Sequence, residues 1–513
     1  MKLELSLEQN LNMLRDAAGG TADLTVSRIA AGGIQCAVLT CEGMCAAAQL
    51  GEQIAKPLAA LPAVFPDGAA LLHFLAQFRL LAADTAEIRD TDGILLRLYA
   101  GFAVLLCDAA DLALACGIQG YASRGIQEPS GELNIYGAKE GFTEPLRTNL
   151  SMIRRRLRSP QLTFELLTAG TVSKTDLCIC LLRDRAPADM VQQIRTRLKN
   201  LPLESVLSSG YIRPFLEQSD MQLVHSIGTT ERPDVLCAKL LEGRVGILID
   251  GTPFALVVPQ LFCETFQTLD DYNYPPAYAT LLRWLKYAAG LLALLLPAGY
   301  LAAAMHHPAL LHETLLRLLT ESEQNVPFSL PAELLGVLFM FEIVREAGLR
   351  LPKAVGGAVG MIGGLLLGDA AVSAGLLSTP VLTVAALAAT AGFVIPEHHA
   401  ALTVLRPAFI LAAAAAGIPG IALLGTALLF HICGLEAFGC PVTAPVAPIL
   451  PKKLHDILCR AGFRRLSQGN FRISDIRRAG SPRWHIPPGG EPPRAFPSGG
   501  RRRGSPSIRS TRR

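Results

Sequence analysis

At 513 residues the chain has room for two or three domains, and half of it is hydrophobic, with a mean hydropathy of +0.36 that is too apolar for an ordinary soluble protein. The formal charge of +4 hides a split, because from Lys452 onward sixteen Lys and Arg face only Asp456, Asp475 and Glu491. Membrane anchoring accounts for that basic end, and no nucleic-acid partner is expected.

The first 271 residues alternate apolar and charged stretches as a globular protein does. The opening MKLELSLEQN carries acids and lacks an apolar core, so it does not read as a secretory signal, and this half is expected in the cytoplasm. Residues 1–24 read as a helical leader ending near Gly19-Gly20. A first α/β subdomain, 25–148, holds β-like runs at Gln35–Thr40 and Phe102–Cys107 and a helix near Leu71–Leu81. A second, 149–265, opens with the basic helix Asn149–Arg158. It continues with a strand at Asp176–Leu182, a helix at Met190–Leu198, and strands at Arg244–Ile249 and Ala255–Val258 around the turn Asp250-Gly251-Thr252-Pro253. Strand order in the sheets is left open.

After a linker, 266–286, the solvent changes. Arg283 and Lys286 precede Tyr287–Met305, an uncharged run of membrane-spanning length whose basic front edge is expected inside the cell. His306–Asn325 is polar and is expected at the far surface. Further apolar segments are Ala332–Val344, Ala354–Leu377, Val381–Ile395 and Pro407–Leu435, the last broken by Gly417-Ile418-Pro419-Gly420. The helical membrane domain is therefore 287–448, with four to five apolar segments, followed by a basic tail, 449–513, expected to lack fixed structure. Five full spans would strand that tail outside, so one segment is expected to re-enter, with 332–344 and 407–435 as candidates. The fold class is an α/β cytoplasmic region of two subdomains followed by an α-helical polytopic membrane domain.

No catalytic, cofactor or metal signature is found. Cys36, Cys41 and Cys45, and the pair Cys178 and Cys180, lack zinc-site spacing and read as buried thiols. His312-Glu313 lacks the second histidine of a helical metalloprotease site, and His306, His307, His398 and His399 read as solvated segment ends. Gly356, Gly360, Gly364 and Gly368 recur every four residues, a face for close helix packing. Glu333, Glu342 and Asp369 are ionisable groups in apolar segments and are candidates for an ion path. The bland alternative pairs Glu342 with Arg345, leaves Glu333 at the interface and makes Asp369 a helix end. Arg154, Arg155 and Arg156 are candidates for lipid or partner contact, against an exposed basic helix face. Glu231, Arg232, Asp234 and Asp250 are candidates for subdomain contacts.

A series of strings in order carries a family resemblance. They include Gly141-Phe142-Thr143-Glu144, Arg147-Thr148-Asn149-Leu150, Thr230-Glu231-Arg232-Pro233-Asp234 and Asp250-Gly251-Thr252-Pro253-Phe254. Phe341-Glu342-Ile343-Val344-Arg345-Glu346, Leu367-Gly368-Asp369-Ala370 and Ala444-Pro445-Val446-Ala447-Pro448 extend them. From about residue 90 to 460 the chain resembles the A subunits of bacterial spore germinant receptors, the GerA family. Tyr274-Pro275-Pro276 and Gly125-Ile126-Gln127-Glu128-Pro129 lean instead towards the stage V sporulation AF-type paralogue, an accessory that amplifies germination. The resemblance implies a non-enzymatic, multi-pass protein of the spore inner membrane. It also implies self-assembly into an ion-conducting ring, beside a B-type transporter-like subunit and a C-type lipoprotein subunit. A transporter of small solutes or ions is the rival class, although no repeated halves are visible.

Overall fold

The computed structural model describes residues 1–61, 64–78, 84–120, 129, 131–132, 134–217, 222–323, 326–350, 368–466 and 472–480. Its N-terminal half holds two five-stranded sheets. The first is made of β1 (Leu24–Ala31), β2 (Ile34–Cys41), β3 (Thr85–Ile88), β4 (Phe102–Cys107) and β5 (Ala113–Gly117), in the order β1-β2-β4-β5-β3. The second holds β6 (Leu162–Ala169), β7 (Thr175–Leu182), β8 (Gly228–Thr230), β9 (Val245–Ile249) and β10 (Ala255–Val258), in the order β6-β7-β9-β10-β8. Every pairing is antiparallel, and the second sheet repeats the strand order of the first.

Helices cover both faces of each sheet, which explains why central strands are apolar without alternation. All six residues of β4 are buried. Phe102, Val104 and Leu106 meet α1 (Leu7–Ala18) and a helix at Thr91–Leu98, whereas Ala103, Leu105 and Cys107 meet a helix at Gly68–Phe78. The stretch expected as a leader is thus part of this core, because Leu7, Leu11 and Leu14 recur on one helical face and are buried. Gly19, at φ 71°, ends α1 with its amide bonded back to Asp16.

On the second sheet, α2 (Leu146–Arg156) and α3 (Pro233–Leu241) cover one face. The opposite face takes the helices Ala188–Lys199 and Ser209–Leu216, and also a segment that returns from the end of the chain. Leu435, Phe438, Cys440 and Val442 are buried there, as are Ile473 and Ile476 of the helix Ile473–Gly480. This corrects the reading of 449–513 as a tail without structure: as far as residue 480 the chain carries apolar side chains that complete the second sheet's core. Residues 481–513 lie outside the described residues.

The remaining helices are α4 (Pro276–Met305), α5 (Glu313–Glu323), α6 (Leu330–Arg350), α7 (Thr379–Phe393) and α8 (His399–Cys433). Two stretches, Pro276–Met305 and Pro396–Cys433, are long and apolar enough to cross a membrane. The short segment expected at 332–344 is the core of a 21-residue helix. Helix α8 is not straight. At Gly417 the backbone leaves the helix, with φ 63° and ψ −140°, a left-handed conformation that glycine tolerates. A Cβ on Gly420 would lie 2.2 Å from the carbonyl oxygen of Ala412, and one on Gly425 would touch the Phe409 ring at 3.9 Å. Sixteen residues of straight helix span about 24 Å, so α8 folds back on itself as a hairpin of two arms, with Gly417 at the tip.

The tip packs against the far end of α4, where a Cβ on Gly417 would come within 3.0 Å of His306 Cβ. The imidazole Nε2 of His306 bonds the Ala414 carbonyl at 2.9 Å, a group that the break leaves without its usual helical partner. His306 is therefore a cap for the broken helix rather than only a solvated end.

Candidate functional site at the base of the helices

One short turn, Phe262–Phe266, which follows the second sheet, is bonded to the chain just before α8 and again to the segment that follows α8. At the entry, Thr265 Oγ1 and His398 Nε2 are hydrogen-bonded at 2.6 Å, and the Phe266 ring lies between His398 (4.7 Å) and Tyr287 of α4 (4.6 Å). Beyond the second arm, the Phe262 amide donates to the Val442 carbonyl at 2.8 Å, in the segment that follows the short strands Glu436–Ala437 and Cys440–Pro441. His398 is consequently held in an aromatic nest, and the expectation that it is solvated is corrected. His399 also has a partner, Glu342, at 3.2 Å.

The turn is anchored by charge. Arg244, fully buried, bonds Glu264 twice, Glu242 at 3.0 Å and the Pro259 carbonyl at 2.7 Å, and Lys239 approaches Glu264 at 3.0 Å. Burial alone would raise the Glu264 carboxyl, but Arg244 and Lys239 outweigh it and hold it at about 2.

A second buried network ties the start of α4 to the returning segment. Arg283 Nε lies 3.0 Å from Asp271 Oδ2, and its Nη1 lies 2.9 Å from Asp456 Oδ1. Lys286 reaches Asp271 at 3.1 Å, and the Tyr272 hydroxyl donates to Asp456 at 2.7 Å. Burial and the charge of Asp456 push that hydroxyl well above the usual tyrosine range. Arg283 and Asp271 are fully buried, so removing either would leave the other with one of its two counter-charges, Asp456 for Arg283 or Lys286 for Asp271. The two cations read from sequence as a membrane-edge signal are thus both held by Asp271, with Asp456 as a second partner of Arg283. Higher in the bundle, Arg406 donates to the carbonyls of Ala293 (2.7 Å) and Ala388 (3.0 Å), joining three helices.

The sequence-predicted residues fall in different places. Arg154 is buried between the sheets rather than on an exposed face. It bonds Asp23 through Nε (2.8 Å) and Nη2 (3.0 Å) and the carbonyls of Ser159 and Leu162, and it stacks on Tyr99 and Phe164. Asp23 belongs to the first sheet region and Arg154 to the second, so the pair spans the two. Arg155 and Arg156 both reach Glu140. Arg232 pairs with Asp234 at 2.8 Å and donates to the Ala138 carbonyl, Glu231 accepts the Gly131 amide, and Asp250 accepts the Leu146 amide at the start of α2.

The three acids do not gather. Glu342 lies at the sheet end of α6, paired with Arg345 and His399. Glu333 is buried at the other end, where it accepts the Ser378 amide. Asp369 is exposed. Gly368 packs against α7, with a Cβ position 3.3 Å from Leu382, whereas Gly356, Gly360 and Gly364 lie outside the described residues. Sequence reading had no signal for the pairing of Asp271 with Arg283 beyond their common place before an apolar run.

The architecture is that of a protein with two antiparallel sheets of the same strand order followed by helices, one of them kinked. The GerA family of Bacillus/Clostridium spore germination proteins matches residues 12–469, and the chain belongs to this family. It is 34% identical to spore germination protein KA of Bacillus subtilis over 89% of this chain and 84% of that protein. It is 32% identical to spore germination protein GerLA of Bacillus cereus over 88% and 92%, and 27% identical to stage V sporulation protein AF of Bacillus subtilis over 75% and 78%. Among solved structures, the N-terminal domain of the A subunit of the Bacillus megaterium spore germinant receptor GerK3 is similar at 27% identity. That match covers 51% of this chain and 98% of that domain, with a TM-score of 0.40. Membership places the chain among spore germination proteins.

Proposed function

We propose that the chain is the A-type membrane subunit of a germinant-receptor complex. It sits in the spore inner membrane with its sheets in the cytoplasm, and it contributes to a nutrient-gated path for ion release. The complex would include further copies of this chain, a B-type transporter-like subunit and a C-type lipoprotein subunit. The observation that supports coupling is the shared turn: Phe262–Phe266 is bonded to His398 at the entry to the helical hairpin and to Val442 in the segment that leaves it, and it is anchored to the second sheet through Arg244 and Glu264. A displacement of the sheets is transmitted to the helices through buried charge pairs that have few alternative partners.

Asp271→Asn tests this reading, because it keeps the shape of the neck and removes the charge that Arg283 and Lys286 share. Nutrient-triggered potassium release from spores carrying the variant at normal protein levels is expected to slow by about tenfold or more, the scale of a coupling loss above 1 kcal/mol. Release at the wild-type rate would remove the neck from the mechanism. Deleting the gene separates a receptor subunit from an accessory: loss of the response to one nutrient marks the former, and slowed responses to all nutrients mark the latter.

A further inference from the structure

Around the first turns of α4 lies an exposed apolar surface that two distant parts of the chain build together. Tyr278, Leu281 and Leu285 are spaced three and four residues apart, so they share one helical face, and all three are exposed. Trp284, 55% exposed, and Thr280 lie on the flank of that face, and both are bonded to the returning segment. The Trp284 indole donates to the Leu458 carbonyl at 2.8 Å, and the Arg460 amide donates to Thr280 Oγ1 at 3.0 Å. Arg460 is itself buried, donating through Nη2 to the Tyr272 carbonyl at 3.0 Å, with its guanidinium 4.5 Å from the centre of the Phe463 ring. These bonds fix residues 458–463 alongside α4, while Leu458 and Phe463, the latter 62% exposed, stay uncovered.

Large apolar side chains gathered on one surface mark a site of contact. The chemistry of the surroundings points to the occupant. The patch runs directly into Tyr287–Met305, the uncharged stretch of a helix long and apolar enough to cross a membrane. Trp and Tyr pair an apolar body with a polar tip, and they settle at the head-group level of a bilayer. Between Pro451 and Leu466 the sequence carries Lys452, Lys453, Arg460, Arg464 and Arg465 against Asp456, a charge complementary to anionic lipid. We propose that residues 458–463 lie in the plane of the membrane surface, with Leu458 and Phe463 entering the boundary between head groups and acyl chains of an anionic phospholipid leaflet, beside Trp284 and Leu281. The neck of Asp271, Arg283 and Asp456 then sits directly beneath the lipid, because Arg283 adjoins Trp284 and Asp456 lies just before Leu458. This inference rests on the membrane reading above and extends it, from the helices to the segment that follows them.

The chain supplies its own probes. Its two tryptophans are Trp284 and Trp484, and its exposed thiols are Cys433 and Cys459. The full chain, carrying Trp484→Phe and Cys433→Ser and a nitroxide on Cys459, is reconstituted in vesicles of phosphatidylcholine and phosphatidylglycerol. Trp284 emission is expected to be quenched more by lipids brominated near the head group than by lipids brominated deep in the chains. The nitroxide is expected to collide more with dissolved oxygen than with a water-soluble nickel chelate. Phe463→Asp alters an exposed side chain and is expected to raise the chelate collision rate at Cys459 severalfold. A nitroxide open to the chelate before that substitution would overturn the placement, whatever Trp284 reports. Protection of Cys459 and Trp284 from both lipid bromines and chelate would also overturn it, in favour of a protein cover such as a second copy. Alkaline carbonate extraction of the same vesicles separates the two readings. Protein retained without lipid contact at Cys459 sinks the in-plane segment alone, whereas lipid contact in protein that the wash releases keeps the segment and sinks the spanning reading.

Discussion

Arg154 and Asp23 are 131 positions apart in the chain and fully buried against each other, so the pair is a contact on which both sheet regions depend. Arg154→Met would leave the Asp23 carboxylate buried without a counter-charge, at a cost of about 3–5 kcal/mol. The expected outcome is a lower unfolding temperature for the full chain, measured by thermal melting. Glu132 offers a test of opposite sign. Burial pushes its carboxyl up to about 7, although the Thr230 hydroxyl, the Glu231 amide and the charge of Arg232 oppose the shift. A raised carboxyl keeps its proton in the folded state while the unfolded state loses it at the ordinary value of 4.5. Stability from this group is complete below the unfolded value and declines as pH rises to about 7. Glu132→Gln is therefore expected to raise the unfolding midpoint at pH 8 and to leave it unchanged at pH 4, measured across a pH series. Neither residue announces its role in the sequence. The Arg154-Arg155-Arg156 run reads as one basic face, and only the packing of α2 shows that its first member points inward while the next two reach Glu140.

The hairpin α8 is the element whose local sequence is most informative. Gly417-Ile418-Pro419-Gly420 reads as a break, and the break is there, at φ 63°. The depth of the reversal is not readable, because it depends on which backbones approach each other. Gly420 and Gly425 separate the two aspects of that approach. A methyl group on Gly420 would meet the Ala412 oxygen at 2.2 Å, a clash with backbone that cannot move aside, whereas one on Gly425 would make ordinary contact with Phe409. Gly420→Ala is expected to reduce the yield of monodisperse protein severalfold on size-exclusion chromatography, and Gly425→Ala to leave it near wild type. The apolar segment read at Pro407–Leu435 lies largely within a longer helix. The helix begins at His399 rather than Pro407, since Pro407 and Arg406 are accommodated inside it, Arg406 by bonding carbonyls of α4 and α7.

Across the whole molecule, composition shows a shift from mixed to strongly apolar sequence, because apolar content is a property of the sequence itself, and both five-stranded sheets lie before that shift. It could not show that the second sheet is finished by residues 435–476, since the Leu435–Val442 stretch looks like the end of an apolar run and the rest looks like a basic tail. Nor could it show that the two sheets share a strand order, because the shared feature is the pairing and not the residues. The shared turn under α8 has a mechanical consequence. A rod held at one end tilts when its base moves, whereas a folded rod held at both ends is moved by both. Because Thr265 holds the entry to the hairpin and Phe262 the segment that leaves it, a movement of the turn would act on both ends of the hairpin together. The far end of the hairpin is Gly417, beside His306, where the chain is bent and bonded to a neighbouring helix rather than free.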